Sequence, residues 1–210
     1  MSKIDLNQLN DMQFDVLKEI GNIGAGNATT ALSTMLNIKV DMSVPNVALL
    51  PFNEISSVVG SEEDTVVGIL IELEGEVNGM MMFIFDMKSA HHLVNTLMMR
   101  DIHENEDSFD VSSFSEMDMS ALNEIGNIVS GSYLNALAGL TGLKMICSTP
   151  SLTVDMVGAL LSVPAAEFGK YGDKMLMIQS QFGEDEFVTG YFLLIPELES
   201  YDKILTTLGM

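Results

Sequence analysis

LKEIGNIGAGNATTAL at residues 17–32 and LNEIGNIVSGSYLNAL at residues 122–137 align without a gap at an offset of 105 residues, half of a chain of 210. Nine of these sixteen positions are identical, including the whole of EIGNI, and Pro45 and Pro150 fall on the same offset. An internal repeat of this kind makes each half one structural unit, so it governs every later inference. The two halves run from about residue 1 to 105 and from about 106 to 210, and together they are expected to form one domain.

Reading outward, each half offers the same order of elements. A long helix is followed by an extended segment around the proline. Two apolar runs then read as a hairpin: Thr65 to Leu73 with Met80 to Phe85, joined by GEVNG, and Met175 to Phe182 with Val188 to Ile195, joined by GEDE. Each half closes with a helical pattern, Ser89 to Met99 and Leu198 to Leu208, where apolar residues recur three and four apart. Between the halves lies an acidic stretch in which Ser113, three residues ahead of Glu116, reads as a capping box for the second long helix. Strand edges left open by one half pair most cheaply with the other. The fold class expected is therefore α/β, internally duplicated with pseudo-two-fold symmetry, with one continuous β-sheet packed against long helices.

At 100° per residue, Asp15, Glu19, Asn22 and Gly26 fall within about 60° of one another on the first long helix. Ser120, Glu124, Asn127 and Gly131 do the same on the second. The opposite face carries Leu17, Ile20, Ala28, Ala31 and Met35, or Leu122, Ile125, Val129, Ala136 and Leu140. One face of each helix buries itself while the other presents acid, amide and glycine. A glycine in a helix interior costs about 1 kcal/mol relative to alanine, which implies a compensating use. Gly21 and Gly126 point away from the polar stripe and suit tight packing; Gly26 and Gly131 lie on it, where a missing side chain lets another surface approach.

Composition narrows the function classes. Thirty acidic residues against nine basic ones give a net charge of -21, and Arg100 is the only arginine. Such a chain does not bind nucleic acid or anionic membranes, which require clustered Lys and Arg. No apolar run approaches the eighteen residues of a membrane span, so no membrane insertion is expected and the protein is placed in the cytoplasm. With Cys147 as the only cysteine, neither an internal disulfide nor a thiolate metal cluster can form. His91 and His92 are adjacent on a predicted helix and diverge, and His103 lies between the halves, so no metal site and no Ser-His or Cys-His pair is expected. An asparagine can nonetheless orient a water molecule, and a glutamate one turn away can anchor a cation on the molecule being acted upon. Asp15 and Glu19, one turn apart on one helix, cannot flank a substrate as a glycosidase pair does.

Both halves fit the pattern Asp or Ser, three residues, Glu, two residues, Asn, twenty-two residues, Pro: Asp15, Glu19, Asn22, Pro45 and Ser120, Glu124, Asn127, Pro150. This pattern resembles the signature of the CheC, CheX and FliY family of chemotaxis phosphatases, and two complete copies without an extra domain resemble its CheC-type members. The resemblance implies that the protein accelerates hydrolysis of the aspartyl phosphate of the response regulator CheY. It implies that Asn22 and Asn127 orient the attacking water while Glu19 and Glu124 pair with a lysine of the receiver, with Asp15, Ser120, Gly26 and Gly131 completing the contact. No cofactor of its own is implied; Mg²⁺ belongs to the bound response regulator. The resemblance further implies that the receptor deamidase CheD is a partner. The segment SLTVDMVGAL, read as a strand, is the region expected to bind it through Asp155. The chain is expected to be a monomer. The alternative reading is a docking module that binds phosphorylated CheY or CheD without catalysis.

Overall fold

In the computed structural model, residues 10–36, 42–100, 114–168, 174–182 and 188–209 are described. The first half comprises α1 (Asp11–Leu36), β1 (Met42–Pro51), α2 (Phe52–Val59), β2 (Thr65–Gly75), β3 (Gly79–Asp86) and α3 (Met87–Leu97). The second comprises α4 (Glu116–Thr141), β4 (Met145–Cys147), β5 (Ser151–Met156), α5 (Val157–Phe168), β6 (Lys174–Phe182), β7 (Val188–Pro196) and α6 (Leu198–Thr207). The strands form one antiparallel sheet in the order β1-β6-β7-β3-β2, with β4 and β5 both pairing with β2 at the far edge. Exchanging the halves reverses this order onto itself, which is the expected pseudo-two-fold relation. The axis runs between β3 and β7, where Phe83 pairs with its own counterpart, Phe192.

The halves are interleaved as well as abutted. β1 pairs with β6 of the second half, and β5 pairs with β2 of the first. Each half thus covers the hairpin edge the other leaves open. The two prolines mark the same feature in these outer strands. The register of β1 shifts between Ser43 and Asn46, around Pro45, and Pro150 lies in the gap that separates β4 from β5. Proline lacks an N–H for the ladder, so it is tolerated where an edge strand breaks.

On one face of the sheet α1 and α4 lie together. Leu17, Ile20 and Leu32 from α1 and Leu122, Ile125 and Val129 from α4 join Val67, Ile69, Phe83, Ile178 and Phe192 in the main core. A β-carbon added at Gly21 would stand 2.9 Å from Ile178 Cδ1, and one at Gly126 would stand 2.7 Å from Ile69 Cγ2. Each helix therefore rests its EIGNI glycine on the hairpin of the opposite half. The other face carries two helices that the sequence reading omitted. Ile55 of α2 and Val157, Leu160 and Leu161 of α5 pack on Met82, Ile84, Met177 and Leu193. The segment read as a strand, SLTVDMVGAL, accordingly stops at Met156. From Val157 its apolar residues recur at helical spacing and cover the sheet instead of extending it. Leu140 also departs from expectation. It is 38 % exposed, because burial in the last two turns of α4 shifts to Leu134, Leu137 and Thr141.

Both long helices begin with reciprocal caps at equivalent positions. The N–H groups of Asn10 and Gln13 each donate to the other's side chain, at 3.0 and 2.9 Å. Ser115 and Asp118 repeat the arrangement, at 2.9 Å from the Ser115 N–H and 3.3 Å from the Asp118 N–H. The cap of α4 is thus Ser115 with Asp118; Ser113 lies outside the described residues. A serine three residues before an aspartate makes the same pair of bonds as one before a glutamate. The GEDE turn and His103 also lie outside the described residues.

Asp118 is buried and forms an ion pair at 2.8 Å with Arg100, just past α3. Burial works to raise its pKa, but the hydrogen bonds from the Ser115 N–H and hydroxyl and the Arg100 guanidinium outweigh it and hold the carboxyl below its ordinary value. Arg100 is half-exposed, so water screens part of the attraction. Arg100→Ala is expected to destabilise by about 1–2 kcal/mol and Ser115→Ala by about 1 kcal/mol, read from urea midpoints at pH 7. Because the folded-state pKa is depressed, this stabilisation is complete above the unfolded carboxylate pKa of about 4 and is lost as pH falls through the lower folded value. A difference between wild type and Arg100→Ala that stays constant into acid would contradict the assignment.

Candidate functional site

α1 and α4 are each 26 residues long, and with one face fixed to the sheet the other is presented to solvent. Asp15, Glu19, Asn22 and Gly26 are all exposed, as are Ser120, Glu124 and Asn127; Gly131 is half-buried. Glu19 and Asn22, and likewise Glu124 and Asn127, sit three residues apart on adjacent turns, so acid and amide project side by side. Among the described residues, no side chain engages these two carboxylates or two amides. Their hydrogen-bonding capacity faces outward. The Ser120 hydroxyl donates to the Glu116 carbonyl at 2.9 Å, so Ser120 is turned back onto its own helix, whereas Asp15 adds a charge to the first stripe.

The stripe glycines have open space above them: a β-carbon at Gly26 or Gly131 would meet nothing within 4 Å. They differ in this from Gly21, Gly126 and Gly24. Gly24 leaves room for the Tyr133 ring, with which a β-carbon there would collide. The positions equivalent to Gly24 and Tyr133 are Val129 and Ala28, both buried, so this departure from internal symmetry is a reciprocal exchange of large and small residues inside the core. It does not alter the stripes.

The remaining sequence candidates are not drawn into this site. His91 is buried in α3 with its ring stacked on Phe114 at 4.0 Å, and His92 is half-buried beside it. Among the described residues no group of three or more His, Cys, Asp and Glu converges as a metal site, and no helix is long and apolar enough to cross a membrane. Asp155 is exposed near the end of β5, opposite Val66 of β2, and its carboxylate accepts a hydrogen bond from the Met156 N–H at 2.8 Å. The reading of the motif passed over one pair that the same offset relates, Met12 and Met117, both exposed.

Residues 12–49 and 117–154, which hold both stripes and both prolines, match the CheC-like family. Over 208 residues the chain is 34% identical to the CheY-P phosphatase CheC of Bacillus subtilis, covering 97% of each protein. The chain belongs to the CheC-like family. It is also 29% identical over 146 residues to the flagellar motor switch phosphatase FliY of Bacillus subtilis, covering 70% of this chain and 36% of that protein. Among solved structures, Thermotoga maritima FliY superimposes with a TM-score of 0.74 at 19% identity, over 96% of this chain and 98% of that one. A chain of the CheX–CheY–BeF3–Mg complex from Borrelia burgdorferi matches with a TM-score of 0.53 at 16% identity, over 86% and 97%. These two likenesses describe a fold shared across the CheC-like family and its structural neighbours.

The open space over Gly26 and Gly131 separates the stripe from the packed glycines experimentally. Gly26→Ala and Gly131→Ala are each expected to stabilise the protein by about 0.5–1 kcal/mol in thermal unfolding, since alanine is the better helix former and meets no obstacle. Gly24→Ala is expected to destabilise by about 1–3 kcal/mol through collision with Tyr133. Equal destabilisation at all three positions would mean that the stripe glycines serve packing.

Proposed function

We propose that this protein accelerates hydrolysis of the aspartyl phosphate on the response regulator CheY, once at each stripe. The observation that carries the reading is the repeated, outward-facing Glu-Asn pair, in a chain 34% identical along nearly its whole length to a CheY-P phosphatase. In the proposed step a water oxygen attacks phosphorus. The bond from phosphorus to the aspartyl oxygen breaks with its electron pair remaining on the carboxylate, and inorganic phosphate leaves with the water's oxygen. Asn22 or Asn127 accepts a hydrogen bond from that water and donates one in return, which orients its lone pair at little energetic cost. Glu19 or Glu124 pairs with a lysine of the receiver and sets the register between the two proteins. Any Mg²⁺ is contributed by the receiver. Asp15, Gly26, Ser120 and Gly131 border the contact, the glycines by letting the receiver come close.

If the two asparagines act by positioning water, Asn22→Ala with Asn127→Ala should lower the hydrolysis of phosphorylated CheY by about 100-fold while changing its binding little. Single variants should keep partial activity, because the sites lie on separate helices. Truncating Glu19 and Glu124 should weaken association by roughly 2 kcal/mol per site as well as slowing turnover. The assay is decay of phosphorylated CheY with and without the protein. Unchanged decay despite measurable binding would support a non-catalytic docking module instead.

Regulation of the deamidase CheD is proposed as a second role, supported by the position of Asp155. It is an exposed acid on an edge strand, on a different element from the two helices that carry the stripes. Asp155→Lys should weaken CheD binding in a pull-down or titration and leave CheY dephosphorylation intact. Parallel loss of both would indicate damage to the fold.

A further inference from the structure

Leaving a large apolar side chain in water forgoes burial free energy, and this chain does so at the same place twice. Met12 is 68 % exposed and Met117 is 62 % exposed, and the repeat offset relates one to the other. Their side chains stand in the first turn of α1 and of α4, three residues before Asp15 and Ser120 and seven before Glu19 and Glu124. On a helix a spacing of seven leaves only about 20° between two side chains, so each methionine continues the polar stripe toward the helix N-terminus. The other exposed large apolar residues, Met99, Leu140, Ile146, Met156 and Val163, have no exposed large apolar counterpart at that offset among the described residues.

The charged part of the stripe sets the register through one ion pair per site and buries no apolar surface of its own. An apolar contact at one end would add to the affinity and keep water from that pair. From Met12 to Gly26, or from Met117 to Gly131, the extended stripe is about 21 Å long at 1.5 Å per residue. A partner domain of about 100 residues has a radius of gyration near 13 Å, so one face of it spans the stripe. Methionine is unbranched and polarizable, adapts its shape to the surface it meets, and is enriched at protein interfaces.

Resting on the phosphatase reading, we propose that Met12 and Met117 are docking residues that seat an apolar patch of the CheY receiver domain beside its phosphorylated aspartate, one at each site. They set KM and take no part in the attack on phosphorus.

The test compares Met12→Gln with Met117→Gln against Met12→Leu with Met117→Leu. Both double variants change exposed helical positions between good helix formers, so thermal midpoints should match wild type. Phosphate release is followed at increasing CheY kept phosphorylated by excess acetyl phosphate. The Gln variant should raise KM about tenfold with kcat within about twofold, and the Leu variant should restore KM. An unchanged KM in the Gln variant, or an equal rise in both, overturns the docking role. Titration with beryllofluoride-activated CheY reads the same contact without turnover. A wild-type protein that binds but does not accelerate phosphate release defeats the phosphatase reading alone, and the docking role then stands or falls on a tenfold loss of affinity in the Gln variant.

Discussion

The contact on which the rest of the architecture depends is the pairing of β3 with β7 across the pseudo-two-fold axis, with Phe83 stacked on Phe192 at 4.8 Å. Each half alone is a hairpin with both edges open, a condition that invites pairing with whatever strand is available. The axial pair closes one edge of each hairpin, and the exchanged outer strands β1 and β5 close the other. Tyr133 stacks on Phe192 at 4.0 Å from above, filling the space that Gly24 leaves. The two halves are therefore not interchangeable at the axis.

That sheet decides where the long helices can sit and which way they face. Gly21 on Ile178 and Gly126 on Ile69 bring each helix backbone close to the strands, and the apolar residues on either side of the glycine lock its rotation. Once the rotation is locked, the positions 180° away must point to solvent. The exposure of Glu19, Asn22, Glu124 and Asn127 thus follows from the burial of Leu17, Ile20, Leu122 and Ile125. A pair of side chains on a rigid, packed helix is held more accurately than one on a loop, as the proposed positioning of a water molecule demands.

Charge acts on a different scale. A net charge of -21 on 210 residues produces long-range repulsion of anionic partners, and it places a premium on the few cations the chain possesses. The single arginine is committed to the buried Asp118 at the start of α4, where it ties the end of the first half to the first turn of the second. This couples the anchoring of the second stripe to a carboxylate that acid can discharge. The cap of the first stripe, Asn10 with Gln13, contains no titratable group.

The duplication, the hairpins, the closing helices and the composition of both stripes were legible in the sequence, because they rest on a repeat offset and on periodicities of two and 3.6 residues that local geometry imposes. The cap of α4 was displaced by two residues from its expected place, since Ser113 and Ser115 both precede an acid by three. The helix α5 was missed because the short apolar run at its start is compatible with a strand or a buried helix, and only the unfilled second face of the sheet decides between them; α2 was missed because its helical spacing, Phe52, Ile55, Val58 and Val59, spans only eight residues. By itself the sequence determined that two equal halves would present acid, amide and glycine on one face of a helix. Tertiary structure alone decided that each helix rests on the other half's hairpin, that the prolines fall at breaks in exchanged edge strands, and that Gly24 makes room for Tyr133. Those contacts join residues that are distant along the chain, and no local pattern encodes which surface a buried face will meet.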